Sequence, residues 1–117
     1  AGIEYISIGL EDLCRADFLF ALKVARTAVG LGAKRVRLSD TVGLFSPLEM
    51  ADLVRKFKNT LSCHIAVHCH NDFGQATANA ITALMSGANF VDVSVLGLGE
   101  RAGIAALEEV AAYLYFR

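Results

Sequence analysis

Residues 64–87 read HIAVHCHNDFGQATANAITALMSG. Ile65, Val67 and Cys69 alternate with Ala66, His68 and His70, the period of a strand whose two faces differ. His64–Cys69 is therefore predicted to be a strand. Ala76–Ser86 is predicted to be a helix, with Gly87 as its stop.

The same strand-then-helix unit recurs on both sides. Downstream, Phe90–Val95 is rich in β-branched residues and reads as a strand, and Ile104–Tyr115 as a helix. Upstream, Ala33–Leu38 reads as a strand. A helix then starts at Pro47 and runs to about Asn59, with Ser46 as N-cap and Glu49 three residues on, as in a capping box. Ile3–Ile8 reads as the first strand, ending at Gly9. Ala16–Val29 follows as a helix with Phe18, Leu22, Ala25 and Val29 on one face, Asp17 as N-cap and Gly30 or Gly32 as stop. Residues 1–117 thus form one domain of four βα units without a linker, which predicts a parallel α/β sheet with right-handed crossovers. Two architectures fit: an open doubly wound sheet, or part of a (β/α)8 barrel. A barrel takes about 250 residues, so four units correspond to half of one. The first and last strands would then each be unpaired on one side, inviting self-association or pairing with another chain.

Composition narrows the class. Eleven Lys+Arg against twelve Asp+Glu give a net charge of −1, and 55% of residues are hydrophobic. That excludes a disordered chain and gives no electrostatic footprint for nucleic acid. No apolar run is long enough for a membrane helix, and the N-terminus lacks the pattern of a signal peptide. The first residue is not Met, which suggests a processed, excised or internal segment. Cys14, Cys63 and Cys69 are odd in number and have no CxxC spacing, so reduced thiols and a cytoplasmic location are expected.

Polar residues collect at the four strand ends, where parallel α/β folds bind ligands. These are Glu11-Asp12, Ser39-Asp40-Thr41, His68-Cys69-His70-Asn71-Asp72, and Gly97-Leu98-Gly99-Glu100-Arg101-Ala102-Gly103. His68 and His70, two apart on a strand, point the same way, while Cys69 turns away. They are either a half-built site for a divalent metal or ordinary polar residues at a strand end. Asn71-Asp72 could orient a ring or cap the next helix. Glu11 is either a general acid/base or a helix-terminal carboxylate answering the dipole. Asp40-Thr41 either offers a carboxylate and a hydroxyl to substrate or makes a turn. Gly97-Leu98-Gly99 lacks the third glycine of a phosphate loop and reads as a flexible connection. Cys14 and Cys63 read as small, half-buried residues.

Taken in order, these clusters resemble the DRE-type TIM-barrel metallolyases and acyltransferases: 2-isopropylmalate, homocitrate and citramalate synthases and hydroxymethylglutaryl-CoA lyase. The segments that carry the resemblance begin with Gly9-Leu10-Glu11-Asp12 and Leu38-Ser39-Asp40-Thr41-Val42-Gly43. They continue with Val67-His68-Cys69-His70-Asn71-Asp72-Phe73-Gly74 and Val95-Leu96-Gly97-Leu98-Gly99-Glu100-Arg101-Ala102-Gly103. The resemblance spans nearly the whole chain and places the four units at strands four to seven of the barrel. It implies that His68 and His70 are metal ligands for Zn, Mn or Mg. It implies that Thr41 contacts a 2-oxo acid carboxylate and that Glu11 lies near the reacting groups. Glu100 and Arg101 match a signature loop of structural or catalytic role.

The 117 residues carry no counterpart of the family's first-strand Asp-Arg-Glu motif, which supplies the acidic metal ligand and a catalytic arginine. Many members also have Asn where this chain has Ile104. That difference, with the Leu38–Pro47 stretch, is similar to homocitrate synthases. The implied reaction condenses acetyl-CoA with a 2-oxo acid, here 2-oxoglutarate. A proton leaves the acetyl methyl, the enolate attacks a ketone polarised by the metal, and thioester hydrolysis releases CoA. A carbon–carbon lyase or aldolase on the same scaffold, and a half-barrel without turnover, are the competing expectations.

Overall fold

The computed structural model describes residues 2–117. The elements run β1 (Ser7–Leu10), α1 (Phe18–Gly30), β2 (Arg35–Asp40), α2 (Pro47–Thr60), β3 (His64–Cys69), α3 (Ala76–Met85), β4 (Phe90–Asp92), a single 3-10 turn (Val95–Gly97) and α4 (Leu107–Phe116). All neighbouring strands pair in parallel, in the spatial order β1-β2-β3-β4. This order decides between the two architectures. A doubly wound sheet reverses its strand order and covers both faces. Here each crossover advances one strand in the same direction, and the right-handed rule for such connections then puts the helices on one face, as in a barrel. The outer edges of β1 and β4 have no partner strand among the described residues.

Strand parity divides the sheet. Leu10, Val36, Leu38, Ile65, Val67 and Cys69 point to the helices and join Ala21, Ala25, Met50, Val54, Phe57, Ala80 and Ala83 in the core. Phe57 is fully buried and packs with Phe18 in a T-shaped pair, their ring centroids 5.7 Å apart. The residues between them, including Arg35, Arg37, Ser39, His64 and His68, lie on the opposite, helix-free face.

β3 has the predicted bounds. Asp17 caps α1 through its Oδ1, which accepts from Phe20 N–H, and Ser46 with Glu49 forms the capping box of α2. Several boundaries differ from the sequence reading. β1 begins at Ser7 rather than Ile3, and Gly9 lies inside it, paired with Arg37. A Cβ on Gly9 would stand 3.3 Å from Arg37 Nη2 and 3.2 Å from Glu11 Oε1, so this glycine makes room for a guanidinium rather than ending a strand. β2 runs on to Asp40, which puts Ser39 and Asp40 within the strand. β4 is only three residues long, and α4 starts at Leu107 rather than Ile104. Residues 104–106 are extended because their backbone is used elsewhere. Ala105 N–H donates to Cys69 O, Ala105 O accepts from Ser94 N–H, and Ile104 forms a bridge with His70.

Candidate active site

Glu11, Thr41, His68 and His70 stand on the helix-free face or just beyond it, at the carboxyl ends of the strands. β3 turns His68 and His70 the same way, and their Nε2 atoms come within 3.2 Å of each other. Cys69 between them is buried in the core. The predicted convergence of the two imidazoles is present. On the far side of the His68 ring, Nδ1 lies 3.1 Å from Asp92 Oδ2. The register that pairs His68 with Asp92 across β3 and β4 makes this contact. Hydrogen bonding to His68 holds the half-buried Asp92 carboxyl below the usual carboxylate range, helped by the His68 and Arg37 charges and opposed by burial.

Glu11 and Thr41 form a second pair. Thr41 Oγ1 accepts from Asp12 N–H at 2.8 Å and donates to Glu11 Oε2 at 3.3 Å. Ser39 Oγ also reaches Glu11, at 3.4 Å. Arg37 joins the two pairs, with Nη2 3.3 Å from Glu11 Oε1 and Nη1 3.3 Å from Asp92 Oδ2. A continuous line of polar contacts therefore runs Glu11–Arg37–Asp92–His68–His70 across the sheet.

Asp40 does not join this line. Parity sends it to the helix side, where it is fully buried and its two oxygens accept from Leu44 and Phe45 N–H at 2.9 and 3.1 Å. The turn reading of Asp40 holds, and the hydroxyl of Thr41 alone faces the opening. Asn71 Oδ1 accepts from Ala76 N–H and so caps α3 instead of orienting an imidazole. Arg101 ties three loops together. Its Nε and Nη2 form a two-point bond with Asp72 at 2.7 and 2.9 Å, and Nη2 also donates to Thr41 O at 2.6 Å. The Arg101 guanidinium keeps the Asp72 carboxyl below its ordinary range. Gly43, at φ +67°, lets the β2 loop press against the β3 loop, since a Cβ there would sit 3.0 Å from both Asp72 N and His70 O.

Sequence reasoning missed Asp92 and Arg37. A signal for Arg37 existed, because Arg35, Arg37 and Ser39 share one parity in a strand. Asp92 needed the inter-strand register.

The donor set suits half of a metal site. Two neutral imidazoles fit a divalent transition ion, and the Asp92 carboxylate behind His68 is the usual outer partner of a ligating histidine. His70 Nδ1 is buried without a partner. Among the described residues no group of three His, Cys, Asp or Glu side chains is placed to hold an ion. A closed structural zinc cage is therefore not what these residues make.

The thiols are inert by environment. Burial pushes Cys14 up to about 11, with a contribution from Asp40, and burial raises Cys69 further. A thiol at that value is roughly 1% ionised at pH 9, where an ordinary one is about half ionised. In the folded chain at pH 9, alkylation of Cys14 by iodoacetamide should accordingly run roughly 50-fold slower than that of a free thiol. Cys69 should react only after unfolding. Peptide mapping of a timed alkylation checks both, and rapid labelling of Cys69 in the native chain would contradict the buried placement.

A one-directional βα sheet, with paired imidazoles and a hydroxyl–carboxylate pair at its strand ends, has the arrangement of part of a (β/α)8 barrel. The chain belongs to the HMGL-like family, whose model matches residues 1–117. It is 47% identical over 112 residues to 2-isopropylmalate synthase 2 of Caldanaerobacter subterraneus subsp. tengcongensis, covering 96% of this chain and 29% of that protein. It is 50% identical over 106 residues to the mitochondrial homocitrate synthase of Yarrowia lipolytica, covering 91% of this chain and 24% of that one. In structure it superposes on an HMG-CoA lyase from Acinetobacter baumannii, solved with coenzyme A and 3-methylmalate, with a TM-score of 0.81. That match has 18% identity and covers 96% of this chain and 40% of the lyase, so it speaks for the fold. The chain thus spans less than a third of the length of these curated relatives. Its family is one of enzymes, among them synthases of amino-acid biosynthesis.

Proposed function

We propose that this chain is the part of a metal-dependent acyltransferase that condenses acetyl-CoA with a 2-oxo acid, with 2-oxoglutarate as the acceptor. The observation that carries the reading is the convergence of His68 and His70 beside a Thr41–Glu11 pair on the neighbouring strand ends. In this reading His68 and His70 hold a divalent cation, which would supply Lewis-acid polarisation of the keto oxygen. The remaining ligands come from outside these residues, by pairing with further barrel units. Thr41 Oγ1 already both accepts and donates, so it can turn its proton from Glu11 to the carboxylate of an oxo acid. Glu11 is exposed and acceptor-rich, placed to take a proton at a carboxylate oxygen. Arg101 keeps the loops carrying Thr41 and Asp72 in fixed relation. The Ile104 position abuts His70 through a backbone bridge, so its apolar side chain supplies no donor there. This favours the homocitrate-type acceptor. The 47% identity to a 2-isopropylmalate synthase favours a second reading, with a branched 2-oxo acid as acceptor.

The test grafts this chain in place of the aligned segment of the Caldanaerobacter synthase and follows CoA thiol release from acetyl-CoA. Turnover that disappears with His68→Ala or His70→Ala is expected. A folded chimaera that releases no CoA with any 2-oxo acid would overturn the proposal. A preference for the branched acceptor over 2-oxoglutarate would select the second reading.

A further inference from the structure

Asp92 has no role in the reading above, yet it closes the line of contacts at the histidine pair. Its Oδ2 takes two partners, His68 Nδ1 at 3.1 Å and Arg37 Nη1 at 3.3 Å. A carboxylate only accepts, so the His68 contact requires a proton on Nδ1. In neutral His68 the lone pair then lies on Nε2, the atom that faces His70 Nε2. That contact in turn needs a proton from His70 Nε2, which leaves His70 Nδ1 as a bare lone pair. Nδ1 of His70 is the buried atom without a partner, and an unpaired acceptor there costs less than an unpaired N–H. With both imidazoles neutral, one proton arrangement thus satisfies every contact in the cluster.

Arg37 keeps the carboxylate in place. Its Nε is buried and unpartnered, so the side chain is held by its terminal nitrogens on Asp92 and Glu11. The absence of a Cβ at Gly9 leaves the space in which it lies. We propose that Asp92 is a positioning residue, anchored by Arg37, that fixes the His68 ring with its proton on Nδ1 and its Nε2 lone pair aimed into the site. The proposal deepens the two-histidine reading and rests on it for the consequence in metal binding, though not for the ring geometry. The plainer view, an ion pair neutralising Arg37 on the sheet face, makes no demand on the state of His68.

The test is imidazole nitrogen NMR on the full chain, labelled with nitrogen-15, together with calorimetric titration by Zn2+ and circular dichroism to confirm folding. The wild-type spectrum should show a protonated Nδ1 and a lone-pair Nε2 at His68. Asp92→Ala should mix the two tautomers and weaken Zn2+ binding by roughly 10–100-fold, the usual cost of losing an outer-shell partner. Asp92→Asn, whose amide oxygen still accepts from Nδ1–H, should restore most of the Nδ1–H signal and keeps the test usable if the alanine variant misfolds. Ring signals of His68 that are unchanged in a folded Asp92→Ala chain would overturn the proposal, even if Zn2+ still bound. A tautomer shift in chains that bind no Zn2+ would uphold the positioning role and overturn the metal reading instead.

Discussion

Gly103→Ala is expected to lower the stability of the chain by roughly 3–5 kcal/mol, because left-handed strain and a backbone collision act together. Gly103 has φ +88°, and a Cβ placed on it would stand 2.0 Å from the carbonyl oxygen of Gly97. That oxygen is fixed, since it accepts from Ile104 N–H at 3.0 Å. Gly103 O meanwhile accepts from Asn71 N–H at 2.9 Å, so moving Gly103 aside would detach the loop after β4 from the end of β3. Gly99 blocks the other escape, with its own absent Cβ 3.3 Å from Gly103 Cα. The sequence reading of this glycine-rich run as a flexible connection is thereby corrected. The glycines are there for close packing of backbone on backbone. Urea denaturation with an unchanged slope measures the loss. Gly30→Ala is the control, because nothing lies within 4 Å of its Cβ and it ends a helix, so stability should rise or fall by less than about 1 kcal/mol. A loss at Gly103 as small as that would mean the loop can rearrange.

His68→Ala combined with His70→Ala should abolish Zn2+ or Mn2+ binding by the chain in calorimetry, an effect larger than the roughly 10–100-fold expected for an outer-shell change. Each substitution removes one of only two nitrogen donors, and among the described residues no third His, Cys, Asp or Glu is placed to hold an ion with them. The companion variant is Cys69→Ala. It lies between the two histidines in sequence but is 1% exposed on the opposite face. It should leave metal binding unchanged while destabilising the fold by about 1 kcal/mol through the lost core contact. Equal loss of binding in both variants would show that the effect is damage to β3 rather than removal of ligands. Retention of binding in the double variant would place the metal elsewhere.

The type and order of all eight main elements were legible because strand and helix periods differ and the caps are local. Asp17, Ser46 and Glu49 act within four residues of where they sit, so sequence contains all they need. Boundaries set by distant partners were not legible. Residues 104–106 have helical composition, but the carbonyl of Cys69 and the backbone of Ser94 capture them in extended form. Ile3–Ile6 have strand composition and lie before the β1 ladder, which begins at Ser7. The architecture itself needed the spatial strand order, since alternating units serve barrels and doubly wound sheets alike.

The site divides along the same line. His68 and His70 converge through parity within one strand, so their spacing sufficed. The exclusion of Asp40 from the opening follows from the same parity once β2 is known to reach residue 40. Asp92 enters only through the register of β3 on β4, and Arg37 only through its reach across β1 and β4. Parity within β2 puts Arg37 on the open face, but no local pattern announces its partners or Asp92.

β3 carries two interleaved messages, one written on its odd residues for the core and the other on its even residues for the opening. Such a strand has a reading frame. Deleting either Ala66 or Val67 would not merely shorten it: the register would shift every later side chain to the other face, sending a cysteine to the opening and two imidazoles into the hydrocarbon interior. Change along this stretch is therefore confined to substitutions, letter for letter.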